Sequence, residues 1–428
     1  MTCNFDRAVE IEQTFKIADG VYLVGSLETG VTVYKQQLRA HNLVWALSVC
    51  SAAAVPKSIA IVGGGITGLT VASCVLALFP DSEATLLEKR WELCSLQLGC
   101  DTRWLHPKIY DWPEYGSRAQ SAQLPVLDWT AGRASDVARN IVQKFGAFCE
   151  KNQARLRIIV GLRSIQIRAS DRHIEWMGCK MSSDGTFSYD NHPEGASEKF
   201  DVIIAAPGYS LEANTPLYWQ NEQLSQPVLD GGQQNYLVSG YGDGAIVDLC
   251  RLTISRFRQD TILKDLFGPA LKETEEEVLN ALQTERTSYH DLLSRRLEPI
   301  TRPAAIALAK RIRRDTNVIM HLSGRNANRS IDVAFEHQSS FLNKLLFYLL
   351  YKCGAFAPNF DTLEDALRSK GIDDSSLVRR HGSSPEEYVR RLFVDPENVE
   401  PQFASIRHRQ HAEKLWRLGA FPPPGVRP

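Results

Sequence analysis

The feature that most constrains this chain is a glycine-rich turn between a short apolar strand and a helix. Residues 58–62 read SIAIV, a run of strand length, and residues 63–68 read GGGITG. The run from Ile66 to Phe79 then predicts a helix, and residues 84–88, ATLLE, predict a second strand. Adjacent parallel strands need a long crossover connection, which is usually a helix, so a helix between two strands favours a parallel pair. The sequence therefore predicts a βαβ unit with glycines at its first turn.

The glycines and the acid of this unit fit a dinucleotide. Gly63, Gly65 and Gly68 match G-x-G-x-x-G. In that pattern the first glycine permits a tight turn, the second lets the backbone approach a pyrophosphate, and the third lets the helix pack closely on the sheet. Glu88 lies twenty residues beyond Gly68, where a carboxylate accepts hydrogen bonds from ribose hydroxyls and disfavours a 2′-phosphate. We expect NAD or FAD rather than NADP in this pocket; the alternative is a glycine-rich turn with no ligand.

Two later segments resemble motifs of the two-dinucleotide-binding-domain FAD flavoproteins, the class of glutathione-reductase-like and flavin-monooxygenase-like enzymes. Residues 204–208, IAAPG, resemble the small-residue turn that ends a late strand in that class. Residues 237–245, LVSGYGDGA, are similar to a strand ending in Gly-Asp, whose carboxylate binds the ribityl chain of FAD. The resemblance covers about residues 58–255 and implies FAD as the cofactor and Asp243 as the ribityl ligand. Taken alone, Asp243 also fits a turn or a helix N-cap.

The motifs and the resemblance together define a set of cofactor-binding candidates. They are Gly63, Gly64, Gly65, Thr67, Gly68, Glu88, Lys89, Arg103, Gly208, Gly242, Asp243, Gly244 and Ala245.

The predicted fold class is α/β, with a Rossmann-type FAD-binding domain. An N-terminal extension at 1–57 contains a strand and a helix. The FAD-binding domain follows at 58–255, with an aromatic loop at 94–130 and a β-meander at 155–205. Residues 256–428 are predicted to form a mainly α-helical substrate cap or interaction region, in which Val318 to Leu322 is a single isolated strand.

The densest aromatic stretch is residues 102–113, TRWLHPKIYDWP. In similar flavoproteins this part of the chain passes over the cofactor, where aromatic faces stack on a flat ring and an arginine such as Arg103 meets the pyrophosphate. His106 is a candidate general acid or base because its unperturbed pKa lies near neutrality. In the alternative interpretation, this loop packs on its own domain and His106 bonds to the backbone. The predicted substrate-pocket residues are Trp104, Tyr110 and Trp112.

Other features of the reductases are missing or altered. We find no second glycine motif between Gly68 and Asp201, so NAD(P)H either binds without a separate Rossmann unit or is not the electron donor. Cys94 and Cys100 are separated by five residues instead of four, which favours two buried thiols over a redox pair.

A basic cluster follows the predicted helix near residue 304. It fits a 2′-phosphate or an anionic substrate, although a solvated helix face is more common. Its members are Lys310, Arg311, Arg313 and Arg314.

The composition excludes several partners. Lys plus Arg total 49 and Asp plus Glu total 50, so no overall field draws the chain to nucleic acid. The nine cysteines show no zinc spacing, and the longest apolar stretches, 43–55 and 341–356, are shorter than the roughly 20 residues of a membrane span. We expect a cytoplasmic protein with a small-molecule substrate and no metal; whether it forms a homo-oligomer stays open.

The expected function is that of an FAD-dependent oxidoreductase, monooxygenase-like or an oxidase or dehydrogenase, with NAD(P)H as a candidate donor. The alternative is a non-catalytic dinucleotide-binding sensor or scaffold, in which the bound nucleotide orders the helical half of the chain for a partner.

Overall fold

The computed structural model describes residues 2–27, 31–181, 187–188, 195–208, 216–229, 231–322, 329–382 and 385–409. Parts of the predicted β-meander, residues 182–186 and 189–194, lie outside these ranges. The chain divides into two compact units. The first unit comprises Met1–Asp101, Ser121–Leu211 and Ser383–Pro428, and the second comprises Thr102–Gln120 and Glu212–Gly382. This division differs from the predicted one: the N-terminal extension belongs to the first unit, and the Gly-Asp motif belongs to the second.

The described residues contain fifteen α-helices and fifteen strands. The α-helices are α1 (Thr2–Phe15), α2 (Val33–Cys50), α3 (Ile66–Leu78), α4 (Ser95–Leu98), α5 (Ala134–Lys151), α6 (Asp243–Thr253), α7 (Ile262–Phe267), α8 (Leu271–Thr284), α9 (Tyr289–Asp291), α10 (Glu298–Ala309), α11 (Val333–Glu336), α12 (Phe341–Lys352), α13 (Leu363–Lys370), α14 (Pro385–Arg390) and α15 (Glu400–Arg409). Single 3-10 turns span Ile109–Asp111, Gly268–Ala270, Asp374–Ser376 and Pro396–Asn398, and a π-turn spans Leu292–Arg296. The strands are β1 (Lys16–Ala18), β2 (Val21–Leu23), β3 (Ser58–Val62), β4 (Glu83–Leu87), β5 (Trp104–Leu105), β6 (Gly132–Arg133), β7 (Leu156–Arg168), β8 (His173–Met181), β9 (Phe187–Ser188), β10 (Ala196–Lys199), β11 (Val202–Ala205), β12 (Gln234–Ser239), β13 (Thr316–His321), β14 (Ala357–Asn359) and β15 (Leu377–Arg379). Across the described ranges, no helix is both long enough and apolar enough to span a bilayer.

The first unit is built on a mixed sheet with the order β1-β2-β11-β3-β4-β7-β8-β10, and β9 pairs with β8. Strands β2, β11, β3, β4 and β7 are parallel, while β7, β8 and β10 form the antiparallel meander. The predicted βαβ unit is present as β3, α3 and β4. Strand β3 is buried at four consecutive positions, as expected for a parallel strand covered on both faces.

The N-terminal segment is an integral part of this sheet. Strand β2 pairs in parallel with β11, Val21 opposite Ile203. The helix predicted within the N-terminal extension is present as α2, which packs against α3. Gln37 lies at this packing interface, where its Oε1 accepts a hydrogen bond from Nε1 of Trp129 at 2.6 Å.

The second unit contains a parallel four-stranded sheet with the order β14-β13-β12-β15. The prediction of one isolated strand among helices was wrong, because β13 is paired on both sides. Its neighbours β14 and β15 have only three residues each, APN and LVR, and so lack a strand-length apolar run. Successive side chains of β12 point to opposite faces of the sheet, and both faces are buried. Val238 packs in the large cluster that includes α6 and α12, and Leu237 packs in a smaller cluster with α13.

Both units contain the same strand order. If β3 and β12 are each counted as the first strand, β7-β4-β3-β11 and β14-β13-β12-β15 both read 3-2-1-4. In open parallel sheets of this order, ligands bind beyond the carboxyl ends of the strands, where the chain switches from one side of the first strand to the other. These points lie between β3 and β11 in the first unit and between β12 and β15 in the second.

The glycines at the two switch points predict a sharp difference in tolerance. Gly63 and Gly240 have φ values of +114° and +120°, and an added Cβ atom would lie 2.2 Å and 2.3 Å from a carbonyl oxygen. We expect Gly63→Ala or Gly240→Ala to lower the free energy of unfolding by at least about 2 kcal/mol. Gly146→Ala, in an open position of α5, should raise it by about 0.5–1 kcal/mol. Urea unfolding of the three variants measures this, and equal effects would contradict it.

Candidate functional site

The glycine turn of the first unit packs against backbone carbonyls at Gly63 and Gly68 but has open space at Gly65. A Cβ on Gly63 would lie 2.2 Å from the carbonyl oxygen of Ala206, and one on Gly68 would lie 1.8 Å from the carbonyl oxygen of Gly63. Gly65 is the exposed N-cap of α3, and a Cβ there would have no atom within 4 Å. The start of α3 therefore offers its unpaired N–H groups to open space, with half-buried Thr67 in its first turn.

The predicted ribose ligand lies against this turn. The Glu88 carboxylate, half-buried after β4, accepts hydrogen bonds from the N–H of Gly64 and, at 2.7 Å, from the N–H of Arg90. Each carboxylate oxygen has further lone pairs, so the group can still accept bonds from ribose hydroxyls. Its neighbour Lys89 is exposed.

Sequence reasoning missed Tyr388, which belongs to the same site. Its α14 helix returns to the first unit from the C-terminal part of the chain. Burial raises the pKa of the Tyr388 phenol, and the nearby Glu88 carboxylate raises it further. No local pattern marks this tyrosine, because only the return of the chain brings it to Glu88.

The other groups around the first turn have structural contacts. The backbone N–H of Ala206 donates to the carbonyl oxygen of Val62 at 2.8 Å, which ties β11 to the turn. Gly208 has a φ of +71° and open surroundings. Cys94 and Cys100 are buried and are not joined in a disulfide, and burial, followed by the effect of Glu88, raises the pKa of the Cys94 thiol to about 12.

The predicted Gly-Asp motif forms the first turn of the second unit. Gly240 corresponds to Gly63, and its added Cβ would lie 2.3 Å from the carbonyl oxygen of Arg380. Gly242 is the N-cap of α6 with φ −78° and ψ 177°, and Gly65 is the N-cap of α3 with φ −73° and ψ 177°. Residues 240–245 read GYGDGA, which fits the dinucleotide fingerprint with alanine as its last small residue. Sequence reasoning missed this second fingerprint because it assigned the same residues to the Gly-Asp motif of FAD.

Asp243 holds two helices together. Its Oδ1 accepts hydrogen bonds from the backbone N–H of Ser340 at 2.9 Å, the Ser340 hydroxyl at 3.0 Å and Nδ2 of Asn343 at 2.7 Å. Ser340 is the N-cap of α12, so the carboxylate ties the start of α6 to the start of α12. Asp243 is the first residue of α6 and Gly242 is its N-cap, so Asp243 lies at the helix start without capping its own helix. Gly244 packs beside Tyr218, and Ala245 is fully buried.

Arg103 lies inside a buried ion-pair network of the second unit. It donates to both oxygens of Asp248, at 3.0 and 3.1 Å, and its guanidinium lies 3.5 Å from the ring centroid of Tyr218. Asp248 also accepts from Arg251 at 3.2 Å and from Nε of Arg380 at 2.8 Å. Burial alone would raise the pKa of Asp248, but the three arginines lower it to about 2. The side chain predicted to meet a pyrophosphate is thus occupied by a carboxylate of its own chain.

Arg380 stands at the switch point of the second sheet. It follows β15, its carbonyl oxygen faces Gly240, and its Cδ lies 3.9 Å from an added Cβ on Gly244. The guanidinium Nη2 is buried and has no hydrogen-bond partner among the described residues. A buried cationic nitrogen without a partner, beside a glycine turn, is suited to an anionic group.

A serine between two histidines lies at the same edge. The Ser239 Oγ is 2.8 Å from Nδ1 of His321 and 2.7 Å from Nε2 of His381. Nε2 of His321 lies 3.0 Å from the carbonyl oxygen of Asp361 and donates to it, so in the neutral ring Nδ1 accepts from Ser239. His381 then donates to the serine oxygen. Sequence reasoning missed this group because its members come from three different strands or strand ends.

The aromatic side chains predicted to line a pocket make packing contacts within the second unit. Trp112 is fully buried, stacks on Phe267 and Phe341, and donates from Nε1 to Glu275 at 2.9 Å. The Tyr110 hydroxyl pairs with the Gln259 side chain, and the guanidinium of Arg258 lies 3.7 Å from the ring centroid of Trp104.

His106 caps the start of a 3-10 turn. Its Nδ1 accepts from the backbone N–H of Lys108 at 3.2 Å and of Ile109 at 3.1 Å. The residue is buried, and burial lowers its pKa, which favours the neutral ring. These are the contacts of the alternative interpretation, in which His106 bonds to the backbone.

The predicted basic cluster is divided by its contacts. Lys310 and Arg311 line a surface pocket of about 580 Å³ with Ser255, Arg256 and Asp265, and Arg311 pairs with Asp265. Arg313 pairs instead with Asp315 at 2.7 Å, while Arg314 is exposed. Ser255 and Arg256 follow the end of α6, and Lys310 and Arg311 precede β13. The pocket therefore lies at the opposite end of the sheet from the glycine turn.

Comparisons with known proteins find only distant likeness. No model of a protein family matches the sequence, and no curated protein matches it. Among solved structures, the L-lysine 6-monooxygenase of Pseudomonas syringae aligns with 15% identity over 50% of this chain and 51% of its own, at a TM-score of 0.22. The reduced form of an ornithine hydroxylase of Pseudomonas aeruginosa aligns with 16% identity over 50% of each chain, at a TM-score of 0.19. The chain spans about half the length of these proteins, and from TM-scores this low we infer nothing about its fold or function.

The buried network predicts a large loss of stability when Asp248 is removed. Asp248→Ala removes the only carboxylate that contacts all three buried arginines among the described residues and leaves Glu222 beside Arg103 and Arg251 alone, so we expect the free energy of unfolding to fall by about 3–5 kcal/mol. The matched control is Asp265→Ala, since Asp265 pairs with Arg311 at the partly exposed surface; it should cost at most about 1 kcal/mol. Chemical denaturation compares the two variants. A loss for Asp248→Ala no larger than that of the control contradicts the prediction.

Proposed function

We propose that this chain is an oxidoreductase that uses two nucleotides, with FAD at the glycine turn of the first unit and a nicotinamide nucleotide at that of the second. The observation that carries the proposal is the repetition of one geometry: the same strand order, the same left-handed first glycine and the same extended N-cap glycine in both units. Each turn alone is a modest signal for a dinucleotide, and a pair of them in one chain favours transfer between two nucleotides.

The first turn fits a nucleotide whose ribose hydroxyls are free. The space above Gly65 admits a pyrophosphate, and the oriented Glu88 carboxylate accepts from a ribose while it repels a 2′-phosphate. The resemblance of residues 204–208 to the flavoprotein turn favours FAD over NAD here.

The second turn differs at the position that reads the ribose. In the first unit Val62 lies opposite Leu87, and Glu88 follows; in the second unit Ser239 lies opposite His321, and Leu322 follows. Among the described residues, leucine stands where the first unit has its glutamate, and its uncharged side chain does not repel a 2′-phosphate at that position, so we expect NADPH to be accepted as readily as NADH. Arg380 pairs with Asp248 through Nε, but its buried Nη2 has no partner among the described residues and can donate to a phosphate at this edge.

The chemistry supplied by this pair is hydride transfer from a reduced nicotinamide to flavin, and then electron transfer to oxygen or another acceptor. The residues of the chain bind and orient: Gly65 and Gly242 admit phosphates, and Glu88 fixes a ribose. A monooxygenase-like reaction on a small molecule is our preferred assignment, ahead of an oxidase or dehydrogenase.

Blocking the first turn should empty the flavin site without unfolding the chain. Gly65→Val adds bulk to an extended, open position, so we expect a normal circular dichroism spectrum and loss of at least about nine-tenths of the bound FAD. Gly146→Val is the matched control, since that position of α5 is also open. Flavin released on denaturation is measured by absorbance. Full FAD occupancy in Gly65→Val, or a colourless wild-type protein that FAD does not reconstitute, would end the proposal.

Blocking the second turn should separate flavin binding from flavin reduction. Gly242→Val is expected to retain FAD but to slow anaerobic bleaching by NADH or NADPH by about a hundredfold or more, because the phosphates lose their backbone contact. Stopped-flow absorbance at the flavin band measures the rate. If neither nucleotide bleaches wild-type flavin, the sensor or scaffold interpretation replaces the enzyme.

A further inference from the structure

The two glycine turns differ in what lies over them. In the first unit nothing lies within 4 Å of a Cβ added to Gly65. In the second unit a Cβ added to Gly242 would lie 3.3 Å from Cε1 and 3.9 Å from Nδ1 of His337. An imidazole ring therefore covers the second turn at the position where the first turn is open.

The covering ring is held by the turn it covers. His337 ends the short helix α11, and its ring meets the Tyr241 ring edge-on, with centroids 5.2 Å apart. Three residues later, Ser340 donates its backbone N–H and its hydroxyl to Asp243, the first residue of α6. Residues 337–340 therefore contact the glycine turn at two points, at Tyr241 through the His337 ring and at Asp243 through Ser340.

The surroundings of His337 favour an uncharged ring in this position. Burial lowers the pKa of His337; Asp243 opposes this and Lys344 adds to it. The Lys344 side chain is itself buried, with its ammonium 3.9 Å from the ring centroid of Tyr289. His337 is nevertheless exposed on its outer side, so its ring can rotate away without opening the core.

We propose that His337 is a gate on the second nucleotide site. Its imidazole occupies the space over Gly242 that a nucleotide phosphate takes, and a nucleotide binds only when the ring has rotated away. This inference depends on the function proposed above for the second unit. A site that is open in only a fraction of molecules shows an affinity reduced by that fraction, so the gate sets how tightly the nucleotide binds.

Removing the ring should strengthen binding. Calorimetric titration of the full-length, FAD-loaded protein with NAD⁺ compares wild type with His337→Ala, and we expect the Kd to fall about tenfold, as for a site open in about a tenth of molecules. Gln338→Ala is the matched control: an exposed neighbour in the same segment, expected to change the Kd less than about twofold. Circular dichroism verifies that all three proteins are folded.

The pH dependence supplies a second readout. A proton on His337 is disfavoured while the ring covers Gly242, so protonation favours the open site. Wild-type affinity for NAD⁺ should therefore rise as the pH falls from about 8 to about 6, and His337→Ala should lack this part of the dependence. His321 and His381 are intact in both proteins, so the difference reports His337.

The outcomes separate the gate from the site. Tighter binding by His337→Ala, or binding by that variant alone, supports the gate. Equal or weaker binding by His337→Ala overturns it; if Gly242→Val then abolishes the binding seen in wild type, the second nucleotide site stands without a gate. If wild type and His337→Ala bind none of NAD⁺, NADH and NADPH, the proposed function of the second unit fails and the gate fails with it.

Discussion

The architecture of each unit depends on a close approach between a left-handed glycine and a carbonyl oxygen of the neighbouring strand end. Gly63 lies against Ala206, and Gly240 lies against Arg380. Any side chain at these glycines would push the fourth strand of the sheet away from the first. The approach lets the chain turn sharply into a helix whose first N–H groups remain unpaired. The same steric constraint therefore recurs at the first turn of both units.

The local sequence predicts the whole structure of the first glycine turn but only part of that of the second. The segment GGGITG lies between an apolar strand and an apolar helix, so the flanking residues predict its structure. The segment GYGDGA has the same signals, yet the strands that would identify its sheet, β14 and β15, are three residues long, and one contains proline. Tertiary pairing forms these strands rather than β propensity. Strand order is a long-range property, and here it distinguishes a second parallel sheet from a helical cap.

The dependence on contacts distant in sequence also explains why side chains predicted to contact ligands have partners inside the protein instead. Arg103 and Trp112 have the residue types of a cofactor pocket, but arginines and aromatics also form interior contacts. Which role they take depends on partners distant in sequence, here Asp248 and Glu275. Conversely, Tyr388 has no local signal and reaches Glu88 only because α14 returns to the first unit. Motifs specify backbone geometry well, whereas side-chain roles depend on the fold around them.

Two turns of one geometry, one open and one covered, suit two different kinds of ligand. An open turn with an oriented carboxylate has little reorganisation to undergo on binding, which favours a cofactor that stays bound. A covered turn loses part of its binding free energy in displacing the imidazole, which favours a nucleotide that leaves after each turnover. An oxidoreductase needs this difference, because a nicotinamide that bound as tightly as the flavin would stop the cycle after one reduction. Under the proposed function, the covering residue, and not the glycine turn itself, would distinguish the cofactor site from the cosubstrate site.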